Sequence, residues 1–394
     1  MSAPAADMAS AACCDSDPDQ VLAEGRRVME LCRVCGYCTG LCPVFPALER
    51  SPSLATADLD YLANLCHNCR ACWYACQYAP PHEFAINVPA TLARLRAGTY
   101  RRYAWPSAVG RWTGKAAAAA AIAIATTLLL PLLTLLWVPW GQLFAVHRDA
   151  GAFYAVIPWG VMTTVATLTL GWALLAATIG LARFWRDIAP RAPAIGRRRA
   201  LLAAARDLLT LRHLDGGGPG CNDRDGSFTQ ARRIAHLILF YGLLLCLAAT
   251  ATAALFHHLL GQPAPYPLAS APVLLGTLGG IAMLVGIGGL LRVKHRADPA
   301  PTATETLAGD YVLLAQLFAV AASGLLLLAL RETAAMGLLL ALHLGTVLGL
   351  FATLPYGKLI HGAYRGAALL RAALEGRRHD DRRRTAPPDR SETG

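Results

Sequence analysis

Two short stretches carry the chemistry of this chain. "LCRVCGYCTGLCPVFPA" at 31–47 packs four cysteines into eleven positions, and "LCHNCRACWYACQYAPP" at 65–81 repeats the spacing. Each reads C-x2-C-x2-C-x3-C: Cys32, Cys35, Cys38 and Cys42 followed by Pro43, then Cys66, Cys69, Cys72 and Cys76. Eight of the twelve cysteines lie between Cys32 and Cys76. Clustering of that kind points to metal ligation in a reducing compartment rather than to a disulfide scaffold. The opening "MSAPAADMASAACC" has no basic stretch followed by an apolar core, so it does not read as a secretory signal.

Three thiolates at this spacing wrap three corners of a cuboidal iron–sulfur cluster, and the fourth, beyond the turn, points at the neighbouring cluster. This is the spacing of bacterial ferredoxins. The predicted pairing is crossed: Cys32, Cys35, Cys38 and Cys76 for one [4Fe–4S] cluster, Cys66, Cys69, Cys72 and Cys42 for the other. Zinc sites set two-cysteine knuckles a long gap apart, which is not the pattern here. One departure is Gln77, which follows Cys76 where proline is usual; "APP" comes just after. Two clusters held close together carry single electrons between a donor and an acceptor. Cys13, Cys14, Cys221 and Cys246 fall outside both runs and read as free thiols or small core residues.

The rest of the chain must position these ligands and give the electrons somewhere to go. Its 394 residues are 55% hydrophobic and only 15% charged, which is not a soluble domain's composition. Six apolar runs predict membrane spans at about 114–138 (with a kink at Pro131), 155–182, 234–259, 272–291, 311–330 and 334–354. Only "RET" separates the last two, predicting a tight hairpin. The segment 183–233 holds eleven Arg against five acidic residues, "LRVKHR" follows the fourth run and "GRRHDDRRR" lies in the tail. The opposite connections carry only Arg148 and Arg331 as basic residues. This asymmetry predicts a multi-pass membrane protein with both termini and the cysteine-rich region cytoplasmic. It also accounts for the net charge of +11 without nucleic acid as a partner.

The fold class expected is an all-α membrane bundle of six transmembrane helices preceded by a small ferredoxin-like 2[4Fe–4S] domain. Its parts are a disordered N-terminus at 1–20, a dicluster domain at 21–100, a six-helix, cytochrome b-like membrane domain at 114–362 and a basic cytoplasmic tail at 363–394.

Histidines in apolar spans default to function, and imidazole is the usual protein ligand of b-type haem iron. The candidates are His236, His257 (or its neighbour His258), His343 and His361, with His295 behind them. His236 and His257 are about 31 Å apart along one helix, and His343 and His361 about 27 Å, five turns, provided the sixth helix continues past Pro355. With the third and sixth spans antiparallel, His236 falls beside His361 near the cytoplasm, and His257 beside His343 on the far side. That arrangement accommodates one or two haems; a single haem between His236 and His343 is the alternative pairing. His67 and His82 read as structural, or as tuning the clusters through hydrogen bonds.

The chain resembles the citrate/tricarballylate utilisation protein B family from about Cys32 to His361, most specifically in "LCHNCRACWYACQYAPPHEFAINVPATLA". The end "FATLPYGKLIHGAYR" is similar to the gamma subunits of respiratory nitrate reductases, in which two histidines of one helix serve two haems. The resemblance implies electron transfer from a FAD-dependent dehydrogenase of the tricarballylate or citrate type, through the clusters and b-type haem, to the membrane quinone pool. The chain itself lacks a dinucleotide fingerprint; its "DGGGPGCNDRDG" at 215–226 lacks the strand–helix context and reads as a solvated turn. A membrane-anchored redox or iron sensor, a transporter helped by iron–sulfur chemistry and a haem-free iron–sulfur quinone reductase are the competing functions.

Overall fold

A computed structural model describes residues 17–190 and 196–385, with side chains through residue 376. Every regular element among them is helical; one isolated bridge pairs Cys221 with Thr229. The cysteine-rich domain consists of α1 (Pro18–Cys35), α2 (Val44–Glu49), α3 (Thr56–Leu65), α4 (Ala71–Tyr74) and α5 (Val88–Tyr103). The expected disordered stretch lies outside the described residues up to 16, and α1 already begins at Pro18, with the Asp17 carboxylate capping its first turn.

A short α6 (Ser107–Thr113) leads into the bundle. α7 (Ala116–Trp137) runs outward; α8 (Trp140–Leu143) and α9 (Ala152–Val156) turn the chain, and α10 (Trp159–Ile188) returns. After α11 (Arg197–Thr210) come α12 (Ala231–Leu260), α13 (Ala271–His295), α14 (Leu307–Leu330) and α15 (Met336–Thr353), and α16 (His361–Thr385) ends the described chain. Six of these helices are long and apolar enough to cross a membrane, matching the six runs read from the sequence. Their outward faces keep large apolar side chains exposed, such as Leu136 and Leu168, as lipid-facing helices must. α12 and α13 pack most closely: a Cβ on Gly279 would stand 2.8 Å from the Gly242 carbonyl.

The connections after α10 and α13 and the chain after α15 all return to the cysteine-rich domain. Phe184 and Ile188 of α10 join its core, Tyr74 donates to Asp298 (2.7 Å), and Arg94 pairs with Glu305. These connections therefore lie on one side of the bundle, with Trp137, Trp140 and Trp159 at the other end. At the boundary Asp310 of α14 bridges Lys294 of α13 and Lys358, each at 2.5 Å, and pins three segments together.

Two expectations about the chain's end fail. The sixth helix does not continue past Pro355: α15 stops at Thr353, a turn and a 3-10 segment (Lys358–Ile360) follow, and α16 starts afresh at His361. Proline has no N–H to donate to the preceding turn and disfavours helix in the residue before it. His343 and His361 thus belong to separate helices, and the five-turn spacing carries no meaning. Nor is 363 the start of a tail. Tyr364, Ala368 and Leu369 of α16 are buried in one core with Val28, Leu59, Leu62 and Leu92 of the cysteine-rich domain.

Candidate metal centres

The first cysteine run straddles a helix end. Cys32 and Cys35 occupy the last turn of α1, which Gly36 terminates in the left-handed conformation (φ +63°), and Cys38 and Cys42 follow in turns before α2. In the second run Cys66 caps α3, Cys69 sits in the loop, Cys72 lies in α4 and Cys76 just beyond it. Asn68 and Arg70 adopt positive φ (56° and 68°), curling this loop so that the Asn68 N–H donates to Cys66 Sγ at 3.3 Å.

The eight thiols line two adjoining cavities. Cys32, Cys35, Cys38 and Cys76 line one, site I; Cys42, Cys66, Cys69 and Cys72 line the other, site II. Cys72, Phe45 and Val88 face both, so the two share a wall. Burial, reinforced by neighbouring sulfur charges, pushes the Cys32 thiol up to about 12 and the Cys38 thiol to about 11. It drives Cys42 and Cys72 well above the ordinary thiol range. Four thiolates in either place therefore need a cationic centre among them. Among the described residues no three or more His, Cys, Asp or Glu side chains close around the position of a single ion. Eight cysteine sulfurs gathered around two adjoining cavities are the soft donor set that iron–sulfur clusters take.

The glycine-rich stretch read as a solvated turn is instead a lid on site II. The Asn222 N–H donates to the Cys69 carbonyl (2.9 Å), Arg70 donates to the Asp223 carbonyl (2.8 Å), and Cys221 is buried in one cluster with Cys69. Gly216 and Gly217 have φ of +60° and +77°. A Cβ on Gly216 would meet Cys69 Sγ at 3.3 Å, and one on Gly217 would meet the Leu41 carbonyl at 2.8 Å. The sequence signal was the glycine run itself, since consecutive glycines mark close backbone approach as well as turns. Gly217→Ala is expected to lift the lid at a cost of roughly 1–3 kcal/mol and to lower the iron retained at site II. Iron analysis beside a melting curve checks this.

Site II is also ringed by arginines, Arg96 buried and Arg232 and Arg365 half-buried. Arg96 and Arg365 both donate to the Cys66 carbonyl (2.5 and 2.8 Å), and Arg232 donates to the Asn68 carbonyl (2.5 Å). The loop carbonyls are thus satisfied by guanidiniums reaching in from α5, α12 and α16. His67 and His213 line the same cavity with ring centres 5.4 Å apart; His82 packs against Tyr78 and Phe84 instead.

Of the membrane histidines, His236 and His361 come together: their ring centres are 6.1 Å apart and nearly perpendicular (84°). His361 Nδ1 bonds the Lys358 carbonyl at 2.7 Å, which leaves Nε2 free, and His236 Nδ1 is buried without a hydrogen-bond partner. His257 and His343 do not meet each other. His257 stacks on Trp159 (5.0 Å, 13°) beside Tyr154 and His258, whereas His343 Nδ1 bonds Ser323 Oγ (3.0 Å) against Gly324. His343 is likewise not the ring that His236 meets.

The fold and these sites define a helical membrane protein with a ferredoxin-like N-terminal domain. The family description of citrate utilization protein B matches residues 113–382, and that of the citrate utilization protein B Fer4-like domain matches residues 25–102. The chain is 45% identical over 361 residues to the citrate utilization protein B of Escherichia coli, covering 90% of this chain and 93% of that protein. It belongs to the citrate utilization protein B family. No solved structure matches it.

Proposed function

We propose that this chain is a membrane-bound electron-transfer protein that takes electrons from a FAD-dependent dehydrogenase of the citrate or tricarballylate type and delivers them toward membrane quinone. The gathering of eight thiols around two adjoining cavities that share Cys72, with Cys42 and Cys76 exchanged between the runs, carries this reading. When bound, [4Fe–4S] clusters and a b-type haem supply one-electron chemistry and nothing else. Site I lies at the domain surface: Cys35 is exposed, and Val34 and Tyr37 beside it are 88% and 72% exposed, which suits contact with a reduced partner. Site II is its more buried neighbour: Cys66 and Cys69 are buried, and the glycine lid and the arginines bond to its loop.

His236 and His361 are the haem ligands in this reading. Two imidazoles on one iron, at about 2 Å per metal–nitrogen bond plus a ring radius of about 1.1 Å each, place their ring centres about 6 Å apart. The observed 6.1 Å matches. The Lys358 carbonyl fixes the His361 tautomer, and the vacant Nδ1 of His236 is the kind of buried donor atom that a ligand satisfies. One haem is the count that this supports. The arginine-rich side is the cytoplasmic one, by the same charge asymmetry read from the sequence, and the membrane is a bacterial inner membrane.

The decisive measurement uses detergent-purified protein made anaerobically in haem-replete cells. About nine iron and eight acid-labile sulfide per chain, the ninth iron belonging to one haem by pyridine haemochrome with a sharp dithionite-reduced band near ~560 nm, are expected. Iron below about half that content would leave no room for two clusters. A bleaching iron–sulfur absorption with no haem band would redirect the clusters' electrons straight to quinone.

A further inference from the structure

The two thiol sites differ in charge. The residues lining site I include no Asp, Glu, Lys or Arg. Arg70 lines site II, and behind the lining Arg96, Arg232 and Arg365 bond to the carbonyls of its loop. Arg232 is neutralised by the Asp223 carboxylate at 3.4 Å. Arg70 donates to the Asp298 carbonyl and feels the charges of Asp223 and Asp298. Arg96 and Arg365 have no carboxylate within ion-pair distance among the described residues; both spend their donors on backbone carbonyls, Arg96 at Ala63 and Cys66, Arg365 at Asn64 and Cys66. Two cations buried side by side without an anion are costly. Four thiolates around a cluster are the anion this place lacks.

We propose that Arg96 and Arg365 are positioning residues for site II: their uncompensated guanidiniums hold the cluster of Cys42, Cys66, Cys69 and Cys72 at a higher reduction potential than the cluster of Cys32, Cys35, Cys38 and Cys76. The physical reason is that a nearby cation favours the state with one more electron. The order fixes a direction. One electron leaves the exposed site, which a reduced flavin partner can reach, and enters the buried one beside the histidine pair. Arg365 is also one helical turn after His361, and Arg232 one turn before His236. The same two helices that carry the histidines therefore grip the Cys66–Asn68 loop, and the spacing between site II and the rings is fixed at both ends.

This inference rests on the two-cluster reading above, and the test separates the two. In redox titrations of the purified full chain followed by electron paramagnetic resonance, two cluster signals are expected, the higher-potential one surviving in C35S. R365Q should lower only that signal's potential, by at least a tenfold change in oxidised-to-reduced ratio at fixed poise, equal to 59 mV for a one-electron couple. R365K should restore most of it, because it keeps the charge. R232Q should move it less, since Asp223 already neutralises that arginine. If R365Q fails to assemble, R96Q reads the same shift. Equal potentials in the wild type, a reversed order, or an unmoved signal in both R365Q and R96Q would overturn the proposal. Missing iron in the wild type would instead overturn the two-cluster reading.

Discussion

Replacing Cys42 by serine is expected to empty the site of the second cysteine run and spare that of the first. Cys42 belongs by sequence with Cys32, Cys35 and Cys38, but its side chain lines the cavity of Cys66, Cys69 and Cys72. The sulfurs that interact with it are those of Cys66, Cys69 and Cys72. The mirror substitution Cys76→Ser should empty site I, because Cys76 lies among Cys32, Cys35 and Cys38. Each change should roughly halve the iron and remove one of two paramagnetic signals, a different one in each variant. The haem band should persist in both, since neither cysteine touches His236 or His361. Loss of the site I signal in Cys42→Ser would establish uncrossed ligation and refute the pairing.

The second large effect concerns the histidine pair. His361→Ala and His236→Ala are each expected to reduce bound haem to less than about a tenth of wild type, because an iron left with one imidazole loses half of its protein ligation. Iron–sulfur content should stay at the wild-type level, which guards against simple misfolding. His257→Ala and His343→Ala should retain the haem: His257 packs on Trp159 and its neighbour His258, His343 bonds Ser323, and neither belongs to the His236–His361 pair. Retention in His361→Ala together with loss in His343→Ala would favour the pairing of His236 with His343 instead.

Much of this was legible in the sequence because it is local. The C-x2-C-x2-C-x3-C spacing dictates which thiols share a turn, and the exchanged fourth cysteine follows from the short reach of that turn. The six spans are visible because a bilayer demands long uninterrupted apolar runs. What escaped the reading depends on contacts between distant residues. The lid of 215–229 looks like a polar turn until Asn222 is seen bonded to Cys69, 153 positions away in sequence. The first turns of α16 carry Arg and Gly among alanines and leucines, and nothing in that pattern says which partner buries Tyr364 and Leu369. The five-turn spacing of His343 and His361 was a periodicity argument across a proline, and Pro355 removed its premise. The rings of His236 and His361 still come together, because the antiparallel order of the spans survives the break.

The burial of α16 in the cysteine-rich domain has a consequence in time. That domain is synthesised first, yet Tyr364, Ala368 and Leu369, which close its core, are synthesised some 260 residues after α5 ends at Tyr103. At about 5–20 residues per second the delay is roughly 13–52 s. Through that interval the domain's helices lack one wall of their core, and the Cys66 loop lacks Arg365 throughout and Arg232 for about the first half. Cluster assembly on the nascent chain is therefore set to finish only after the last helix has left the ribosome. A chain truncated before His361 would insert its six spans while its eight thiols stay unprotected.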